Sequence, residues 1–180
     1  LALTRLESAK LITRNSDDSS ALHTSSLIIH TSLDAHPHIR EYFGKYLREK
    51  NPDAWRAAHR RLYEHLCAST QEGDQPTLEA LQPLYQAVAH GCQAGLQEET
   101  FRQVYYGRIT RGGEYYSFRK LGAFGSDLGA VACFFRQPWK TLGEQLSDEV
   151  QGGLLAQTAF YLRALGRLAE SLEPMRGCVD

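Results

Sequence analysis

The sequence predicts a mainly α fold with a small β segment near its start, and three observations carry that expectation. Behind Pro37, the residues Ile39, Tyr42, Phe43, Tyr46 and Leu47 recur at helical spacing as one apolar stripe, with Arg40, Glu41, Lys45, Arg48 and Glu49 covering the rest. Before it, Ser25 to Leu33 holds Leu27-Ile28-Ile29 and Thr31, a β-branched run of strand length. After it, apolar helical patterns recur to the end of the chain, punctuated by Gly and Pro. With 180 residues, 42% of them hydrophobic, the chain is long enough to bury real cores.

Taken in order, Leu1 to Ile12 places Leu3, Leu6, Ala9 and Lys10 or Leu11 at helical spacing, and a short helix is expected there. Asn15-Ser16-Asp17-Asp18-Ser19-Ser20 lacks apolar side chains and reads as a turn. Helix, strand, loop, strand and helix in that order fit the C-terminal part of a winged-helix domain over residues 1–50, with residues 11–33 as its wing. Pro37 suits a first helical turn, where its missing N–H has no intrahelical partner. Asn51-Pro52-Asp53 supplies a cap, a proline and an acid for the next helix, and the domain boundary is placed here. Trp55, Ala58, Leu62 and Leu66 are expected to line that helix, with Tyr63 on its flank.

Residues 69–76 are polar, with Gly73 and Pro76, and form a loop. From Thr77 to Ala94 the helical pattern returns through Leu84, Ala87, Val88 and Gly91, with Pro83 expected to kink or divide it. Gly95 closes this helix, and Phe101, Val104 and Tyr105 give its partner a stripe, so the two form a hairpin. Gly112-Gly113 ends that unit. One longer helix is expected from Phe118 to Phe135, with Gly122, Gly125, Ser126 and Gly129 on a bare face suited to close backbone approach. Gln137-Pro138-Trp139 breaks it, and Ser147 is expected to cap the next helix, with Asp148 and Glu149 in its first turn.

Residues 51–180 read as tetratricopeptide-like antiparallel helical hairpins. Counted from the turn at Leu165-Gly166-Arg167, small residues Ala159, Ser171 and Cys178 fall where paired helices touch, and Leu155, Leu162 and Met175 fill large positions. Gly95 takes the corresponding place for Leu84, Val88, Gly91, Thr100, Val104 and Gly107, about two repeats of roughly 34–36 residues earlier. The unit between is degenerate, because Phe134 stands where a small residue is wanted.

A net charge of -1 argues against wholesale nucleic-acid or membrane-surface binding. No run reaches membrane-span length and the start lacks a signal peptide's apolar core, so a cytoplasmic protein is expected. Cys67, Cys92, Cys133 and Cys178 form no Cys-x-x-Cys pair and read as small hydrophobes. Asp34, His36 and His38 offer three ligating types, but a strand-to-helix junction splays them; His59 and His65 fall on different helix faces. No Gly-x-Ser-x-Gly occurs, and the glycines from Gly122 to Gly129 match neither Gly-x-Gly-x-x-Gly nor a Walker A loop. Between Phe101 and Lys140, basic residues outnumber acids and interleave with tyrosines. Arg108, Arg111, Tyr115, Tyr116, Arg119 and Lys120 are accordingly the candidate partner-binding residues, for a protein in preference to single-stranded nucleic acid.

Leu-Asp-Ala-His-Pro-His-Ile-Arg-Glu-Tyr-Phe at residues 33–43, with Ala-His-Arg-Arg-Leu-Tyr-Glu-His-Leu, Leu-Tyr-Gln-Ala-Val-Ala-His-Gly-Cys and Lys-Leu-Gly-Ala-Phe-Gly further on, resembles bacterial signal-transduction ATPases of the STAND class. There an NB-ARC- or NACHT-like nucleotide-binding domain leads through a winged helix into tetratricopeptide-like helices. The resemblance implies an ATPase core upstream of this chain, which begins without Met inside a predicted helix and is expected to be part of a longer protein. It also implies that His36 matches the His of a Met-His-Asp motif that contacts the ADP β-phosphate, although Ala35 and Pro37 replace its neighbours.

These expectations converge on a non-catalytic regulatory and protein-interaction fragment. ADP or ATP would bind the parent chain, and the partner would be its own ATPase domain or a signalling protein. The competing reading is a DNA-binding winged-helix transcriptional regulator with a helical effector domain. It would need a basic recognition helix, and Leu1 to Ile12 offers Arg5 and Lys10 against Glu7. A hydrolase built on Asp34, His36 and His38 ranks below both.

Overall fold

The computed structural model describes residues 12–16 and 31–177, and helices dominate them. Two compact units divide the chain, Leu1–Ala54 and Trp55–Asp180.

In the first unit β1 (Ile12–Ser16) and β2 (Thr31–Ala35) pair antiparallel, from Ile12 opposite Ala35 to Ser16 opposite Thr31. Ile12 therefore opens a strand and does not end a helix. Asn15 and Ser16, expected in a turn, complete the same strand. The rest of the expected helix (residues 1–11) and most of the expected strand (residues 25–30) lie outside the described residues. Helix α1 (Pro37–Lys50) starts at Pro37 as expected, with Arg48 and Lys50 in its last turn beside the free carbonyls. Its stripe stands in solvent: Tyr42 is 64%, Phe43 57% and Tyr46 52% exposed.

In helix α2 (Pro52–Ser69), Asn51 Oδ1 accepts the Ala54 N–H at 3.1 Å, the predicted cap. The buried face matches expectation in part: Trp55 and Leu66 lie on it, but Ala58 and Leu62 are exposed, Leu62 to 45%, while Tyr63 is buried and His59 and Cys67 share its side. Buried, the Tyr63 hydroxyl needs a partner, and it donates to Glu99 Oε1 at 3.2 Å.

Helix α3 (Leu78–Gln93) runs through Pro83 without dividing and is capped by Thr77, whose hydroxyl oxygen accepts the Ala80 N–H. It ends in a turn built on Gly95 at φ +80°. The Leu96 N–H reaches back to the Gly91 carbonyl at 2.9 Å and the Gly95 N–H to that of Cys92 at 3.2 Å, a Schellman cap. The chain returns as α4 (Gln97–Glu99), which continues without a break as a π-helix (Thr100–Ile109). Its last bond, Thr110 N–H to the Tyr105 carbonyl at 2.9 Å, spans five residues. Accordingly Thr100, Tyr105 and Thr110, five apart, are all fully buried, and Val104 and Ile109 follow the same spacing.

The expected helix from Phe118 to Phe135 is two helices, α5 (Tyr116–Leu121) and α6 (Phe124–Ala132), and Phe135 belongs to a strand. Gly122 at φ +64° stops α5, a conformation that disfavours any residue with a Cβ. A Cβ on Gly125 or Gly129 would meet nothing within 4 Å, so their bare face is open. The close approach falls instead at Gly91, where a Cβ would stand 2.0 Å from Thr100 Oγ1 and 3.0 Å from the Tyr63 ring.

The break at Gln137-Pro138-Trp139 is the turn of a hairpin, β3 (Phe135–Gln137) with β4 (Thr141–Leu142). Helix α7 (Asp148–Ala164) follows, with Asp148 and Glu149 in its first turn. Ser147 sits at its start but makes no capping bond of its own; Glu98 caps the helix by accepting the Ser147 N–H at 3.0 Å. Helix α7 ends like α3: Gly166 lies at φ +76°, and the Arg167 N–H reaches the Leu162 carbonyl at 2.8 Å before α8 (Leu168–Arg176) packs back on it. The core joins Leu81, Leu84 and Val88 of α3 to Tyr105, Ile109, Val131, Leu154, Tyr161 and Leu162.

Gly91→Ala is expected to lower the unfolding free energy by about 1–3 kcal/mol in urea titrations, because the overpacked methyl outweighs the helix-propensity gain. Gly125→Ala and Gly129→Ala, with open space around them, are expected to raise it by roughly 0.5–1 kcal/mol each.

Candidate functional site

Of the residues singled out for partner binding, Arg108 lies in the last turn of the π-helix and is half-buried. Its Nε donates to Glu72 Oε1 at 2.7 Å and its Nη2 to Glu72 Oε2 at 2.5 Å. Nη1 donates to the Cys67 carbonyl at 2.8 Å, and Nη2 also to the Thr70 carbonyl at 2.6 Å. One guanidinium thus closes the C-terminal end of α2, whose last carbonyls have no helical partner, and fixes the loop beyond it. The same fork holds the Glu72 carboxyl below its ordinary range.

Arg111 and Tyr116 serve the same loop. The Arg111 guanidinium donates to the carbonyls of Gly73 and Asp74 and lies 4.8 Å from the Tyr116 ring centre, and the Tyr116 hydroxyl donates to the Pro76 carbonyl at 3.1 Å. Arg111 and Tyr115 both adopt left-handed backbone, at φ 55° and 51°, so the segment between them is strained as well as anchored. Tyr115 carries Arg119 over its ring at 5.1 Å, and Arg119 and Lys120 are exposed. The structure thus joins Arg108, Arg111 and Tyr116 on the 70–76 loop and leaves Tyr115, Arg119 and Lys120 at the surface beside them.

Next to this clamp an open groove of about 380 Å³ lies between α2 and the π-helix. Tyr63, Cys67 and Val104 form its base; Glu64, Glu99, Gln103 and Arg108 bring polar groups to it. Burial pushes the Cys67 thiol and the Tyr63 hydroxyl above their ordinary values, so both hold their protons at neutral pH and neither is poised as a nucleophile. Among the described residues, no three His, Cys, Asp or Glu side chains converge as a metal site, and no helix is long and apolar enough to cross a membrane.

His36 sits at the N-cap of α1, exposed, and its Nδ1 faces the His38 N–H at 3.4 Å. An accepting Nδ1 places the ring hydrogen on Nε2, which leaves Nε2 as a donor.

Composition did not single out Asp127. Its side chain is completely buried, and its carboxylate accepts the Tyr85 hydroxyl at 2.7 Å and the Ser117 hydroxyl at 2.8 Å. Tyr161 also bonds to it, and Tyr161 meets Tyr105 hydroxyl to hydroxyl at 3.0 Å. Burial raises the Asp127 carboxyl above the usual aspartate range, and the three hydroxyls oppose that shift without cancelling it. The signal available in the sequence was three tyrosines at otherwise apolar helix positions, each needing a partner inside.

No family model matches the chain, and neither curated proteins nor solved structures yield a match.

Arg108→Ala is expected to cost about 2–3 kcal/mol in urea unfolding, below a fully buried pair because the Arg108 and Glu72 side chains remain 26% and 16% exposed. Amide exchange at 70–76 should accelerate more than exchange in the core, and Arg108→Lys should recover less than half of the loss, since it restores charge without the fork. For Asp127 the folded carboxyl titrates above its unfolded value. Its contribution is therefore fully present below the unfolded value of about 3.9 and is lost as pH rises through the folded one. Urea titrations between pH 4 and 7 should show the parent protein losing stability relative to Asp127→Asn as pH rises.

Proposed function

We propose that the chain is a non-catalytic regulatory and protein-interaction fragment of a nucleotide-dependent signalling switch of the STAND type. Its helical hairpins act as a tetratricopeptide-like binding scaffold behind the C-terminal part of a winged helix. One observation carries this reading: α3 and α7 end in the same six-to-one hydrogen-bonded Gly turn, each folding the chain back into a packed partner helix. Small residues are buried in both hairpins, Gly91 against Thr100 in the first, Ala159 and Ser171 in the second. Repetition of a turn together with its small contact residues is what stacked helical repeats require.

In this reading the partner is a protein, either the chain's own ATPase domain or a signalling protein. Arg119 and Lys120, exposed beside half-buried Tyr115, supply part of the surface it meets, and the setting is cytoplasmic. His36 contacts the β-phosphate of ADP held by the parent chain, and its Nε2–H is a donor suited to a phosphate oxygen.

The chain titrated with double-stranded DNA at moderate salt is expected to show no binding. Affinity that falls steeply with salt would overturn the reading in favour of a DNA-binding regulator. In the parent chain, His36→Ala should speed release of a fluorescent ADP analogue on the order of tenfold or more, the value of a hydrogen bond to a charged group. Unchanged release would remove His36 from the nucleotide site.

A further inference from the structure

His59 on α2 and His90 in the last turn of α3 meet Nδ1 to Nδ1 at 2.8 Å, both half-buried, with their ring centres 5.0 Å apart. Behind His59 the Trp55 ring lies 4.2 Å away, and its indole N–H donates to Gln93 Oε1 at 3.3 Å. His59 is therefore held between a tryptophan of its own helix and a histidine of the next.

The contact admits one hydrogen. In the neutral pair one Nδ1 donates and the other accepts, so the donor ring has a bare Nε2 and the acceptor ring carries its hydrogen on Nε2. A first added proton goes to the bare Nε2, and the contact persists as an imidazolium donating to an imidazole. A second added proton has only the accepting Nδ1 left, which the shared hydrogen already occupies. Two imidazolium rings would then oppose N–H to N–H, and the contact has to open.

No carboxylate offsets the burial of either ring. On α2 the neighbouring charged or titratable side chains are Arg56, Arg60, Tyr63 and Glu64; α3 offers Cys92 beside His90; the helix that follows α3 and packs against it brings Glu98, Glu99 and Arg102; and α6, also packed on α3, brings Asp127 and, just past its end, Cys133. None of these moves either imidazole: burial lowers both, and His90 lowers His59 further.

We propose that His59 and His90 form a two-proton clasp, which holds the Trp55–His59 part of α2 on the last turn of α3 and releases it when both rings are protonated. Both rings titrate in the folded chain below the unfolded value of about 6.5. The clasp therefore contributes fully above that pH and is lost as pH falls through the lower folded values.

The test uses the chain with Trp139→Phe, which leaves Trp55 as its tryptophan, since the sequence has two. Trp55 emission is followed from pH 7.5 to 4.5 with amide exchange. The expected result is a transition below about pH 6.5, steeper than a one-proton curve, with exchange at 55–63 roughly tenfold faster while 81–88 stay protected. His90→Gln should remove the steepness. An equally steep transition in His90→Gln, or simultaneous loss of protection at 81–88, would overturn the proposal. Ring-nitrogen NMR of the unsubstituted histidines gives a reading that needs no variant at the pair. Both rings taking up their protons in one transition steeper than a one-proton curve, coinciding with the Trp55 change, support the clasp; two independent one-proton titrations refute it.

Discussion

One buried carboxylate sets the terms for the helical unit. Asp127 has no access to water, so its charge is tolerable only if hydroxyls surround it, and those hydroxyls come from three other helices: Tyr85 from α3, Ser117 from α5 and Tyr161 from α7. Tyr105 of the π-helix extends the network through Tyr161. An apolar core tolerates small slips of one helix on another, whereas a hydrogen-bonded cluster fixes distances to a few tenths of an ångström. The short α5 and the turn at Gly122 follow from the same demand, since a continuous helix through 116–132 would not bring Ser117 and Asp127 to one point ten residues apart.

The second constraint is the contact at Gly91. With no side chain there, Thr100 and the Tyr63 ring approach the α3 backbone, and α2, α3 and the π-helix converge on one level. Further along the π-helix, Arg108 draws the 70–76 loop onto the end of α2. A basic residue that looks like an offer to a partner is thus consumed within the fold. The groove it borders owes its shape to that consumption.

Local chemistry in the sequence disclosed much of this. Pro37, the Asn51 cap and the turns at Gly95 and Gly166 are each set by a few adjacent residues, and the helices they bound fall close to the expected places. What escaped depends on partners distant in sequence or on a changed period. Leu62 and Tyr63 are neighbours about 100° apart around the helix, and only Glu99 and Gly91, some thirty residues on, decide which turns inward. A 3.6-residue period picks out Phe101, Val104 and Tyr105 but misses Thr110, which a five-residue winding buries. The site was legible as a set of residue types and illegible in direction, because Arg108 and Arg111 take the carbonyls of a loop that composition marks only as polar.

The π-helix also determines which way the chain faces when it leaves the first hairpin. Each of its turns takes up more residues than an α-turn, so between Thr100 and Ile109 the side chains advance around the axis more slowly. Wound as α-helix, the same ten residues would carry the Arg108 guanidinium to another side of the rod, away from Glu72. A length change of a single residue here would act as a rotation of everything attached to the helix. The segment is therefore a phase adjuster in the architecture, and the sequence between Thr100 and Ile109 should tolerate substitution on its outer side far better than insertion or deletion.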